Sequence, residues 1–217
     1  MQRLKYVILK KGVDVKKIAV LVSGRGSNLQ AIIDNIESGY IKGAVIALVI
    51  SDVGGAYALT RAEKHSIKAV HVDPDSFDSK ETYEKHIIEL LHEVKADLVL
   101  LAGYMCVIGS VLLDTYYGRM INIHPALLPA FKGLHAQEQA FNYGVKVSGC
   151  TVHFVDSGVD TGPIILQRCV PVLEDDTPDS LADRILVEEH RIYSEAVKLF
   201  IEGRLIIEER KVRIKSL

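Results

Sequence analysis

The chain has 217 residues, 48% of them hydrophobic and 25% charged, with a formal net charge of −2. That length and balance suit a globular protein with a substantial core. They argue against bulk binding to nucleic acid or a membrane surface, because basic residues are neither in excess nor gathered beyond Lys10-Lys11 and Lys16-Lys17. No run of about 18 apolar residues marks a transmembrane span, and the N-terminus lacks a signal-peptide core. The three scattered cysteines, Cys106, Cys150 and Cys169, read as reduced thiols rather than a disulfide framework or a zinc site. Together these features point to the cytoplasm and to no bound metal.

In chain order, residues 1–17 alternate charged and apolar positions and read as an N-terminal extension with the pattern of an extra edge strand. Residues 18–22 form a continuous apolar strand. Ser23-Gly24-Arg25-Gly26-Ser27-Asn28 is a glycine loop, and residues 29–38 carry helical periodicity. A strand over 44–50, a helix over 56–65 and a strand over 68–72 follow, the last ended by Asp73-Pro74-Asp75. Residues 80–93 read as a helix with Tyr83, Ile87, Leu90 and Leu91 along one stripe, and 97–102 and 120–124 as strands. Alternating helices and fully apolar strands predict a parallel sheet covered on both faces. The pattern changes after Gly133. Residues 146–155 and 163–172 are long β runs joined by the loop 156–162, the signature of an antiparallel extension. Asp175-Asp176-Thr177-Pro178 announces a helix over 180–202, Gly203 ends it, and 205–214 form a terminal hairpin. The expected class is α/β: a Rossmann-like, mostly parallel sheet with helices on both faces and an antiparallel C-terminal extension, one domain over residues 18–217.

Three stretches carry chemistry. In Asn122-Ile123-His124-Pro125, alternation puts the amide and the imidazole on one face of a strand that the proline terminates. They then lie at a strand end, where open α/β sheets bind ligands; the plainer reading is a core histidine before a turn. The glycine loop joins a strand to a helix start, where free N–H groups attract an anion. A dinucleotide fingerprint would need a third glycine where Leu29 stands, although Asp52 could serve as its ribose acid. Ser27 and Asn28 suit a phosphomonoester better, and an ordinary βα turn is the third reading. Asp160, in a turn between two apolar strands, is either a turn cap or a carboxylate that folds over the site and pairs with a histidine. His153, between Val152 and Phe154, fits a satisfied sheet histidine. The other histidines show no metal-ligand spacing, and Cys106, after an apolar strand, is a weak candidate nucleophile.

Taken with the loop Ser23-Gly24-x-Gly26-Ser27-Asn28 and with Asp160, the run Asn122-x-His124-Pro125-x-Leu127-Leu128-Pro129 resembles the folate-dependent formyltransferases. The resemblance extends in order from about Ile18 to Gly203 and includes Ala102-Gly103-Tyr104-Met105, Gly133-Leu134-His135 and Glu189-His190-x-x-Tyr193. It implies transfer of a formyl group from 10-formyltetrahydrofolate, the co-substrate, to the amine of glycinamide ribonucleotide. Both partners are small molecules, and the chain would act as a monomer or homodimer. It further implies that Gly26, Ser27 and Asn28 hold the phosphate and Glu189 the ribose. Lys80 and the strand-end backbone of Met105, Cys106, Val107 and Ile108 would line the folate pocket with Asn122. Asn122, His124 and Asp160 would be catalytic, Asn122 as oxyanion donor and His124 as acid–base group with its pKa pushed up by Asp160. Cys106 departs from the arginine that many relatives carry there, so any side-chain role at that position is lost.

Overall fold

The computed structural model describes residues 15–216. The stretch 1–14 of the expected edge strand lies outside the described residues, while Lys16 and Lys17 belong to the first core strand, β1 (Lys16–Val22). Next come α1 (Ser27–Glu37), β2 (Ala44–Ser51), α2 (Tyr57–Lys64), β3 (Ala69–His71), α3 (Lys80–Glu93), β4 (Leu98–Leu101), α4 (Ser110–Thr115) and β5 (Met120–His124). The second half supplies α5 (Ala136–Tyr143), β6 (Val147–Phe154), β7 (Ile164–Pro171), α6 (Pro178–Ile201), β8 (Leu205–Glu208) and β9 (Lys211–Ile214). Among the described residues, all the strands join one nine-stranded sheet in the order β3-β2-β1-β4-β5-β6-β7-β9-β8. Pairing is parallel from β3 through β5 and antiparallel from β5 to β6 and from β6 to β7.

Strand alternation builds two cores. Ile18, Val20 and Val22 face the side covered by Leu29 and Ile32 of α1 and by Ile185, Ile192 and Tyr193 of α6. Ala19 and Leu21 face the other side, covered by Tyr83, Ile87 and Leu91 of α3 and by Leu112. Both faces being dry explains why these strands are apolar without a break.

Helix starts differ from the periodicity for local reasons. The helix α1 opens at Ser27, because Ser27 and Asn28 occupy its first turn although neither extends the apolar stripe. At α6, the Thr177 side chain accepts from the Ser180 amide, Ser180 reciprocates, and Pro178 takes the first helical position. Neither α4 nor α5 was expected; α4 is a short turn, and α5 buries only Ala136 and Ala140, too little for a stripe to show.

The chain order reverses between β1 and β4, so the loops after them diverge at the carboxyl ends, the position where open α/β sheets bind ligands. The loops are stitched at their base: the Ser23 amide donates to the Gly103 carbonyl at 3.0 Å, and the Met105 amide to Ser23 Oγ at 2.8 Å.

Candidate active site

Asn122 and His124 project from the end of β5 on one face, while Ile123 points into the core. Register pairs Asn122 with His153 of β6 and His124 with Thr151, so the neighbouring strand adds a second imidazole to the same face. Asp160 enters from the β6–β7 loop with a left-handed backbone, φ 51°. Its Oδ2 lies 3.3 Å from His124 Nδ1 and accepts from the Gly133 amide at 2.9 Å. Its Oδ1 lies 3.4 Å from Asn122 Nδ2 and 3.6 Å from His153 Nε2. The structure therefore brings together the three residues read as catalytic and adds His153 to them.

Proton positions follow from acceptors that cannot donate. His153 Nδ1 lies 2.9 Å from the Phe154 carbonyl and must carry the hydrogen, which leaves Nε2 to accept from Asn122 Nδ2 at 3.2 Å. That bond orients the Asn122 amide; turned round, its oxygen would face the Asp160 carboxylate. His124 Nε2 lies 2.8 Å from the Phe131 carbonyl, so it too is the protonated nitrogen. The neutral ring therefore aims its Nδ1 lone pair at Asp160, and a proton added there would be held by a charge-assisted bond.

Burial draws the His124 pKa below the ordinary imidazole value, with the Phe131 carbonyl and the Asp160 charge opposing it. This corrects the expected rise: Asp160 does push upward, but the imidazole is only 4% exposed and desolvation wins. Burial pushes the Asp160 carboxyl up, but His153, the Gly133 amide and the charge of His124 together hold it below the usual carboxylate range. Around neutral pH the pair is thus a neutral base beside an ionised acid.

Two loops fix these groups. Phe131 and Gly133 have φ of 51° and 79°, which aims the Phe131 carbonyl at His124 and the Gly133 amide at Asp160. Gln139 of α5 ties the same loop down, donating to the Leu134 carbonyl at 2.7 Å. On the other side, Thr161 Oγ1 donates to Asp156 Oδ1 at 2.5 Å across the turn that presents Asp160. Thr151 donates to the Ala126 carbonyl and accepts from the Leu128 amide, holding the turn after Pro125.

A second group lies at the carboxyl end of β1. Gly26 precedes α1 in the left-handed conformation, φ 69°, and Ser27 and Asn28 form the first turn. Asn28 Nδ2 donates to Glu189 Oε2 at 2.8 Å although 161 positions separate them. Among the described residues, Asn28 Oδ1 is a buried acceptor with no protein partner. Burial raises the Glu189 carboxyl, opposed by the Asn28 amide. One helical turn on, the Tyr193 hydroxyl reaches the Leu101 and Ile121 carbonyls at 2.9 and 3.1 Å, which seats α6 on β4 and β5.

The third group corrects an expectation: Met105, Cys106, Val107 and Ile108 are not strand-end residues, since β4 stops at Leu101 and they form the loop into α4. Buried Glu84 of α3 anchors that loop by accepting from the Gly109 amide and, at 3.2 Å, from the Leu112 amide. Cys106 Sγ donates to Asp52 Oδ2 at 3.1 Å, which occupies the carboxylate a dinucleotide reading would have assigned to a ribose. Burial and then Asp52 push the Cys106 thiol up to about 11, so it is held protonated and the nucleophile reading fails. Met105 and Val107 are exposed, and Lys80 opens α3 with an exposed side chain whose charge reaches Cys106. Among the described residues no group of three or more His, Cys, Asp or Glu is placed to hold a metal, and no helix is long and apolar enough to cross a membrane.

Sequence reading missed His153, left as a sheet histidine, and the Phe131 and Gly133 backbone. His153 had one usable signal, its place on an apolar strand next to the Asp160 loop; the backbone groups had none beyond Gly133 itself.

Comparison with known proteins bears on this geometry. A formyl transferase family model matches residues 16–197. The chain is 45% identical over 184 residues to the phosphoribosylglycinamide formyltransferase of Bacillus subtilis, covering 85% of this chain and 94% of that one. It is also 45% identical over 193 residues to the trifunctional purine biosynthetic protein adenosine-3 of Drosophila melanogaster, of whose length it spans only 14%. Among solved structures, glycinamide ribonucleotide transformylase 1 from Symbiobacterium toebii superposes with a TM-score of 0.91 at 53% identity, covering 94% of this chain and 95% of that one. By the extent of the family match and by these identities, the chain belongs to the formyl transferase family.

Proposed function

We propose that this protein transfers the formyl group of 10-formyltetrahydrofolate to the amine of glycinamide ribonucleotide, a step of purine synthesis carried out in the cytoplasm. The observation that carries the reading is the convergence of Asn122, His124 and Asp160 at the end of β5. Gly26, Ser27 and Asn28 would take the ribonucleotide phosphate, and Glu189 with the unpartnered Asn28 Oδ1 would take its ribose hydroxyls. The loop Met105, Cys106, Val107 and Ile108, flanked by Lys80 and Asn122, would take the folate, with Cys106 contributing backbone while its thiol stays on Asp52.

The chemistry needs no covalent enzyme intermediate. The amine lone pair forms the new C–N bond at the formyl carbon, and the carbonyl pair moves onto oxygen. Asn122 Nδ2 stabilises that oxyanion by giving up its long contact to Asp160, keeping the bond to His153 that orients it. The attacking nitrogen, now cationic, releases a proton through a water ordered by Asp160 to His124 Nδ1. Asp160 stabilises the resulting imidazolium, which passes the proton to the departing folate nitrogen as that C–N bond breaks and the carbonyl reforms.

Single-turnover assays of His124→Ala and Asp160→Asn test the reading. Each is expected to cut kcat strongly while circular dichroism shows the fold retained; full activity in either variant refutes the catalytic roles of the pair.

A further inference from the structure

The glycine loop is gripped from behind by α2, a helix with no part in the chemistry of the formyl transfer. The Ala58 amide donates to the Gly24 carbonyl at 3.0 Å, and Arg61 Nε donates to the Arg25 carbonyl at 2.8 Å. In a trans peptide the C=O and the following N–H point in opposite directions. Holding those two carbonyls toward α2 therefore turns the Arg25 and Gly26 amides away from it. Among the described residues neither amide donates to a protein acceptor. Successive amides turned one way form an anion-binding concavity. The loop also lies flush on α2: a Cβ on Gly26 would meet Ala58 Cβ at 2.6 Å and Arg61 Cδ at 3.5 Å.

Arg61 is itself held in place. Its Nη1 donates to Gln30 Oε1 at 3.1 Å, and the guanidinium stacks 4.7 Å from the Tyr57 ring centroid. Gln30 uses its amide nitrogen on Asp34 at 2.8 Å and on His65 at 3.0 Å, and His65 Nδ1 lies 2.7 Å from Glu37. The guanidinium thus bridges α1 to the loop carbonyl through two nitrogens, and its positive charge lies on the carbonyl side of the peptide whose amide would face a phosphate. An ammonium has no such planar fork.

We propose that Arg61 is the positioning residue of the phosphate loop: it acts through the Arg25 carbonyl to aim the loop amides at the ribonucleotide phosphate. This rests on the phosphate role proposed for Gly26, Ser27 and Asn28.

Steady-state kinetics of R61M and R61K, with inorganic phosphate as a competing probe, test it. In R61M the KM for glycinamide ribonucleotide and the inhibition constant of inorganic phosphate are expected to rise together, roughly tenfold for the loss of a charge-assisted bond. The folate KM and kcat should stay within about twofold, the signature of lost ground-state binding. R61K should recover part of the phosphate affinity, since it restores charge but not the two-nitrogen bridge. Unchanged phosphate affinity in R61M overturns the proposal, as does an equal rise in the folate KM or a fall in kcat alone. If R61M fails to fold, Gln30→Ala, which removes only the brace, should show the same pattern more weakly; a wild-type response there also overturns it. Wild-type turnover with no inhibition by phosphate would instead defeat the loop's phosphate role, and the proposal with it.

Discussion

Gly26→Ala is the sharpest perturbation of the glycine loop, because Gly24→Ala, two positions away in the same loop, should do nothing. Gly26 sits at φ 69°, and an added Cβ would lie 2.6 Å from Ala58 Cβ and 2.9 Å from the Ala58 Cα, a backbone atom that cannot swing aside. A left-handed alanine costs about 1–2 kcal/mol. Forcing a methyl into a packed contact adds about 1–3 kcal/mol, so the loss is on the order of 2–5 kcal/mol. For a chain of this size that lowers Tm by roughly 4–20 °C. An alanine at Gly24 meets nothing within 4 Å and has no left-handed φ to violate, so its change should stay within about 0.5 kcal/mol. Urea denaturation of the two variants beside wild type measures the contrast. Equal stability of the two would refute the claim that α2 closes against the loop at Gly26.

Asn122→Ala should lower kcat by about 10²–10³ with an unchanged fold, the usual loss for an oxyanion donor; steady-state kinetics and circular dichroism check both halves. In the proposed mechanism His124 accepts a proton while neutral, and burial holds its pKa below the ordinary imidazole value, so activity should persist to mildly acidic pH and fall as pH drops through that lowered pKa. Asp160→Asn removes the charge that pushes this pKa up, so the acid limb of the residual activity should move to still lower pH; a pH–rate profile shifted upward would contradict the assignment. Glu84→Ala strips the Gly109 and Leu112 amides of their acceptor and should cost about 1–3 kcal/mol of stability, with a raised folate KM and an unchanged ribonucleotide KM. Cys106, with its thiol pushed up to about 11, should label slowly with iodoacetamide at neutral pH and faster as pH rises; rapid neutral labelling would mean the Asp52 contact does not hold it.

What could be read from the chain alone was what period and punctuation encode. Residues 120–124 formed an apolar run with a polar pair on one face, and β5 has those limits with Asn122 and His124 side by side. The Asn28–Glu189 contact was not legible, because no spacing across that separation encodes it. His153 read as a sheet histidine because its partner is fixed by the β5–β6 register, a tertiary choice that no local pattern contains. The same blindness reversed the sign of the His124 shift: a charge partner is visible in a sequence, but the burial that outweighs it is not. Phe131 and His135 take left-handed conformations without being glycine or asparagine, so nothing announced the loop that clamps His124 and Asp160. Arg61 lies on the helix expected over 56–65, and no sequence pattern marks it out from other helical charges.

Direct transfer between two bound substrates is the central claim, and following the formyl carbon tests it most directly. With ¹³C-formyl-labelled 10-formyltetrahydrofolate, the label should appear in an amide bond to the glycinamide nitrogen, only when the ribonucleotide is present, and at no time on the protein. Label recovered as free formate without the ribonucleotide, at a rate matching turnover with it, would contradict direct transfer.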